Sequence, residues 1–393
     1  MDVEERRARL AERHRLLPRT RIDDVPQIAD DLVALHSTDP PTVFLSAMVR
    51  MEHPDIEGVE QALYIDRSLV RHHAMRRTLW VATPGTVRLM HAAATRDLVA
   101  PERRRTCKLL AASGIGDPER WLAEAEAEVL ADLRRHGPST ARAVGQRVAA
   151  RQRLHLSPGK SYAAFQSAHT RVLTILGFAG QIVRTRPSSW INGAYAYAAV
   201  EEWLPEGLGE ENPRTAAAAL AGRWLQRFGP GTTTDLRWWM GWTLSRTRQA
   251  LADSCAVKVE LDGGTGWLAA KDDPSPDPEP WVAALPGLDP TTMGWKQRDW
   301  YLPEAAIESF DSAGNGGPTL WVDGRIVGVW AQTREGEIHT HYFEKVAARR
   351  RREIDARIGE IKAMIGPARF TVRFPAPVHN RLAANQALPG SPD

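Results

Sequence analysis

The chain has 393 residues, too long for one simple core, with 43% hydrophobic and 25% charged side chains, the proportions of a folded globular protein rather than a disordered one. A net charge of +3 permits a polyanionic partner without demanding one, and arginine is the commoner cation. Cys107 and Cys255 form no CxxC pair, which excludes a disulfide framework and a cysteine zinc site and implies a reducing, cytoplasmic setting; the charged first 21 residues carry no apolar leader, and no run is long enough for a membrane span.

In chain order, residues 4–17 read as a charged helix and Asp23-Asp24 caps a helix over 25–35, on which Ile28, Leu32 and Leu35 share a face and which Pro40 stops. At its end Leu35-His36-Ser37-Thr38-Asp39 would present an imidazole, two hydroxyls and a carboxylate, a set that equally suits an ordinary polar turn. Residues 43–49 are apolar, 55–66 are amphipathic, the second half of 71–82 has strand character, and Pro84-Gly85 turns into a helix reaching residue 100. The basic run 103–108 reads as a solvated helix face, with polyanion contact as the competing possibility.

A second unit contains a helix over 121–135, a capped helix after Gly137-Pro138-Ser139-Thr140, a third over 160–176, and strands at 181–184 and 194–198. Three helices and a hairpin are the winged-helix order. The pattern returns with a helix over 215–227, the Gly-Pro-x-Thr signature at Gly229-Pro230-Gly231-Thr232, a helix over 244–252 and a hairpin across Asp262-Gly263-Gly264. The helix over 25–35 holds the corresponding place in a first unit. After a Pro- and Asp-rich linker, 271–280, expected to be extended and flexible, residues 319–332 form a hairpin around Asp323-Gly324, followed by a strand at 338–343, a helix over 345–365 and a last strand at 370–374. The expected fold class is thus α+β, with domains at 1–118, 119–205 and 206–270 as three winged-helix units, a C-terminal β-rich domain at 281–381, and a disordered tail at 382–393.

The order of the motif at 36–39, the arginines before Trp80, the two Gly-Pro-x-Thr units, Leu285-Pro286-Gly287-Leu288-Asp289-Pro290, Trp295-Lys296-Gln297-Arg298-Asp299 and the Asp-Gly-Arg hairpin resembles the tandem winged-helix DNA glycosylases of the AlkZ and YcaQ type. The resemblance implies a C-shaped arrangement of the three units and excision of bulky or crosslinked alkylpurines at a Gln-x-Gln or Gln-x-Asp centre with a His-first variant. Its motif positions are His36 and Thr38 here, a departure from the Gln-based pattern, and Asp39 follows immediately as the candidate for the missing polar function. The partner implied is double-stranded, damaged DNA, bound by a monomer, with no cofactor and no metal.

A purine alkylated at N3 or N7 leaves as a good leaving group without a general acid, so Asp39 would stabilise the oxocarbenium-like sugar while His36 and Thr38 orient water. With no lysine nucleophile implied, the activity would be a monofunctional hydrolase, and an imidazole of ordinary pKa, about 6.5, would give an acid limb to its rate. Candidates for phosphate contact are Arg76, Arg77, Arg184, Arg186, Lys296 and Arg298, each also readable as a solvated or ion-paired side chain. Trp238, Trp239 and Trp242 have the spacing of a packed helix face, and His339 with His341 is a weak pair for a metal. The alternative function is a non-catalytic winged-helix regulator or architectural DNA-binding protein.

Overall fold

The computed structural model describes residues 1–156, 164–386 and 388. Helix α1 (Val3–Arg13) starts at Asp2, whose carboxylate accepts from the Glu5 N–H. Helix α2 (Val25–Asp31) is capped in the same way by Asp24. It does not run on to Leu35: Val33 takes a left-handed φ of 60°, and Leu35–His36 form strand β1. Ile28, Leu32 and Leu35 are all fully buried, so their helical spacing marks a shared core rather than a continuous helix. Nor does Pro40 stop a helix. It opens one, α3 (Pro40–Met48), because at the first helical position its missing N–H has no intrahelical acceptor to satisfy.

The first unit continues with α4 (Ile56–Glu60), a π turn, and the hairpin of β2 (Val70–His73) and β3 (Leu79–Ala82). Its order is helix, short strand, two helices, two strands, and the short strand pairs with the last one: Leu35 lies opposite Val81 and His36 opposite Trp80. Helices α5 (Pro84–Met90) and α6 (Val99–Ala112) then lead out through π and 3-10 turns.

That order recurs twice. The second unit has α7 (Pro118–His136), β4 (Ser139–Thr140), α8 (Ala141–Arg147), an inserted hairpin β5 (Arg153–Leu156) and β6 (Ala164–Ser167), α9 (Ala168–Phe178), β7 (Ile182–Pro187) and β8 (Tyr195–Ala199), with β4 paired to β8. The expected helix from residue 160 is therefore a strand up to Ser167, and residues 160–163 lie outside the described residues. After α10 (Val200–Trp203), the third unit has α11 (Pro213–Phe228), α12 (Thr233–Met240), α13 (Leu244–Asp253) and the hairpin β9 (Val257–Leu261), β10 (Gly264–Leu268); its short strand has shrunk to a bridge between Gly231 and Trp267. Gly231 must stay glycine, since a Cβ there would sit 2.2 Å from the Trp224 ring.

The wing of the second unit joins the first: β1, β3, β2, β7, β8 and β4 make one six-stranded sheet, with Arg71 opposite Arg184 at the seam. The C-terminal part is a four-stranded meander of β11 (Val282–Leu285), β12 (Thr319–Val322), β13 (Arg325–Gln332) and β14 (Ile338–Tyr342), backed by α14 (Ala348–Ile365) and α15 (Pro377–Ala383). Asp323 and Gly324 both have positive φ, 45° and 81°, as a type I′ turn requires. β11 and α15 were not evident from sequence, and the strand expected at 370–374 does not form; its backbone is used elsewhere, as described below. The segment 271–280 is irregular but anchored, Asp272 pairing with both Arg9 and Arg13. Of the tail expected to be disordered, Leu382 is buried in α15, and the end of the chain lies outside the described residues. Among those residues, no helix is long and apolar enough to cross a membrane.

Candidate active site

The motif at 36–39 occupies β1 and the turn into α3, where the first unit meets the wing of the second and the segment at 370–374. His36 and Asp39 are not openly presented: they keep 4% and 6% of their surface, and only Thr38 is half-exposed. The His36 ring meets Trp80 edge-on at 4.7 Å, and its Nδ1 accepts from the Thr38 N–H at 3.4 Å, which places the ring proton on Nε2. Burial, with the Arg76 guanidinium nearby, holds His36 down at about 3, so it is neutral at any working pH. The Thr38 Oγ1 has no hydrogen-bond partner among the described residues, an orphan that a water or a nucleotide atom would satisfy.

Asp39 is explained by comparison with its counterparts. At the N-cap of the helix after the short strand, Thr140 accepts from the Ala143 N–H and Thr232 from the Asp235 N–H. Asp39 holds that same N-cap position and caps nothing. Its Oδ2 instead accepts the Arg373 N–H at 3.1 Å, bringing in the segment that fails to form a strand. Burial raises the Asp39 carboxyl to about 6, with Arg373 opposing.

Ser37 is fully buried, and its Oγ accepts from Arg71 Nε at 2.8 Å. Arg71, also buried, donates to the Tyr64 hydroxyl and lies 4.4 Å over the Tyr195 ring, with no carboxylate partner among the described residues. Around the motif, then, stand Arg71, Trp80 and Arg373, none of which was singled out from sequence. Arg71 looked like one basic residue among several near a strand, and Arg373 lay in an expected strand whose backbone would have been occupied.

The six candidate DNA contacts separate into kinds. Arg77 is paired with Glu102 at 3.1 Å and Arg186 with Glu60 at 3.0 Å, so their charges are already met. Arg184 leans on Tyr195 and Tyr197 and reaches His73 Nε2 at 3.4 Å. Lys296 is exposed, its backbone N–H held by the buried Asp235 carboxylate, which also accepts from Gln297 N–H and Thr232 N–H. Arg76 and Arg298, more than two hundred residues apart, meet on one ring, that of Trp238. Trp239 and Trp242 are core residues, although α12 ends at Met240 before Trp242, whereas Trp238 is only partly buried. Among the described residues the one cluster with metal-ligand geometry is Asp23, Glu52 and His53, which is exposed; His339 and His341 gain no third ligand.

A family model described as DNA glycosylase AlkZ-like matches residues 29–364. A solved structure, that of the Streptomyces sahachiroi DNA glycosylase AlkZ, superposes with a TM-score of 0.70 over 95% of this chain and 99% of that one, at 19% identity. Among curated proteins, none matches.

Proposed function

Because the chain belongs to the AlkZ-like DNA glycosylase family, we propose that it hydrolyses the N-glycosidic bond of purines alkylated at N3 or N7 in duplex DNA, bulky or crosslinked adducts included, acting as a monofunctional enzyme. The observation that carries this reading is Asp39, released from helix capping, buried three residues after a neutral imidazole and fixed by a backbone N–H. A carboxylate in so little water stabilises a developing oxocarbenium strongly. Neutral His36 and the unpartnered Thr38 hydroxyl place the attacking water. The alkylated base is cationic while bonded and takes the bonding electron pair to depart neutral, its positive charge passing to the sugar, so no acid is required of the protein. Lys108 is the first lysine of the chain, so the stretch from the motif through β3 offers no side-chain amine for a Schiff base and lyase step.

The test is incubation with duplex DNA containing N7-methylguanine, followed by alkaline cleavage. Breaks at the lesion are expected; a mobility shift without breaks would favour the non-catalytic DNA-binding reading. The feature that speaks for this second reading is the near closure of the motif, since a nucleotide cannot reach His36 or Asp39 at their 4% and 6% exposure without some opening of the turn.

Burial also reassigns the acid limb. His36, held at about 3, does not titrate in the working range, whereas Asp39 at about 6 does. Asp39 must be ionised to act, so single-turnover excision is expected to be full above pH 7 and to fall as pH drops through about 6. His36→Gln should lower the plateau yet keep that limb. A limb that disappears with His36 would return the titration to the imidazole.

A further inference from the structure

We propose that Arg76, Trp238 and Arg298 form one recess for a single DNA phosphate, that flanking the nucleotide held at Asp39. This rests on the DNA glycosylase reading above and adds to it a defined subsite.

Arg76 lies in the turn between β2 and β3, where it and Arg77 both have left-handed φ, 54° and 62°. Such a conformation costs an L residue about 1–2 kcal/mol, and Asn-Gly would make the turn more cheaply. The chain nevertheless carries arginine there, and strain of this kind gathers at functional sites. The Arg76 guanidinium donates no hydrogen bond to any described residue, has no carboxylate partner among them, and its Nε is covered by protein. Its carbon stands 4.2 Å over the centre of the Trp238 ring.

Arg298 reaches the same ring from the loop after Trp295, 5.2 Å from its centre. It is braced by the carbonyls of Trp295 and Gly314 and by the Phe310 ring, and it too has no carboxylate partner among the described residues. Since 4.2 and 5.2 Å are measured to one ring centre, the two guanidinium carbons are no more than 9.4 Å apart. A phosphate can bridge two guanidiniums through charged hydrogen bonds only where those carbons lie within roughly 10 Å of one another, a condition this pair meets. Two half-buried cations close to one another without an anion are unfavourable, and burial with the Arg298 charge pulls Arg76 down to about 10. A phosphodiester would reverse that repulsion, and the indole face supplies a neutral floor attractive to both cations. Trp80, whose ring meets His36 edge-on, donates its indole N–H to the carbonyl of Met75, the neighbour of Arg76, so a phosphate bound there sits beside the motif and fixes the sugar of the nucleotide taken up there.

The full-length protein is tested by the salt dependence of its affinity for duplex DNA with and without N7-methylguanine, for wild type, Arg76→Gln, Arg298→Gln and the double variant. Neutralising a single phosphate contributes about 0.9 to the slope of log K against log salt. Each single variant is expected to lose about that amount and the double variant no more, because the two arginines share one phosphate. In wild type, one methylphosphonate flanking the lesion should weaken binding by about 10- to 100-fold, and neither variant should respond to it. Additive slopes, no change of slope, or variants as sensitive to that methylphosphonate as wild type would overturn the shared recess. Melting curves show whether the variants are folded, and Trp238→Leu, which removes the floor but no charge, should weaken binding with its slope unchanged. Abasic sites produced by a wild type whose slope ignores both arginines would sink the recess alone; the expected slopes without abasic sites would sink the glycosylase reading alone.

Discussion

Asp39→Asn is expected to lower single-turnover base release by about 10²–10³-fold, equivalent to about 2.7–4 kcal/mol of transition-state stabilisation, while duplex affinity changes by less than about twofold. The substitution is nearly isosteric and leaves an oxygen to accept the Arg373 N–H, so the turn and the 370–374 segment stay in place. What is lost is the negative charge, in a site where little water remains to screen it. Rates from quenched single-turnover assays and affinities from mobility shifts separate the two effects. Equal loss of both would assign Asp39 to folding, and unimpaired excision would remove it from the chemistry.

The same substitution should stabilise the fold. The Asp39 carboxyl rises from an ordinary 3.8 to about 6 on folding, so in the interval between these values the unfolded chain ionises and the folded one does not. That penalises the folded state progressively as pH rises from 3.8, and fully above 6. That rise corresponds to about 3 kcal/mol, which the Asp39→Asn variant would recover at pH 7.5 and not at pH 4. A variant that is inactive yet harder to unfold is the signature of a group kept for function against stability. Urea midpoints at the two pH values measure it.

Why the sequence revealed some of this and not the rest is visible at single residues. Caps and turns were legible because their signals are local: Asp24, Thr140 and Thr232 bond to N–H groups three residues on, and Asp323-Gly324 needs only its own backbone angles. Pro40 was read as a helix stop and instead opens a helix, since proline does both, and the deciding contact is the pairing of His36 with Trp80 across the sheet. That the first unit repeats the other two was legible only from the place of its helix, its match being in strand order rather than in residues. The titrating group was misassigned because pattern shows residue type, whereas burial, which moves His36 and Asp39 in opposite directions, depends on Arg373 and the wing of a different unit. Arg76 and Arg298 were each named as phosphate contacts, but nothing along the chain says that they share Trp238.

Breaking the pair of Arg50 and Asp289 should be the most damaging single change to the fold. Both side chains are fully buried, with Nη2–Oδ1 at 2.8 Å and Nη1–Oδ2 at 2.9 Å. Their remaining capacity is taken up as well: Arg50 donates to the carbonyls of His14 and Ser46 and to Thr291 Oγ1, and Asp289 accepts from Ser46 Oγ and the Thr291 N–H. Asp289→Ala leaves a guanidinium in the core with no anion and should cost about 3–5 kcal/mol, a large share of the roughly 5–15 kcal/mol that folded domains have in total. Replacing both, Arg50→Met with Asp289→Leu, removes the stranded charge and should recover much of that loss. Urea midpoints for the two singles and the double give the coupling, and a single-variant cost under about 1 kcal/mol would show that water reaches the pair. The location gives the result a functional reading too. Arg50 follows α3, the helix that begins beside Asp39, while Asp289 belongs to the C-terminal part that supplies the Arg373 N–H, so the pair holds the two sides of the carboxylate's environment in register. Asp289→Ala is therefore expected to lose excision through a displaced site and a weakened fold together, whereas Asp39→Asn loses excision from a fold made stronger.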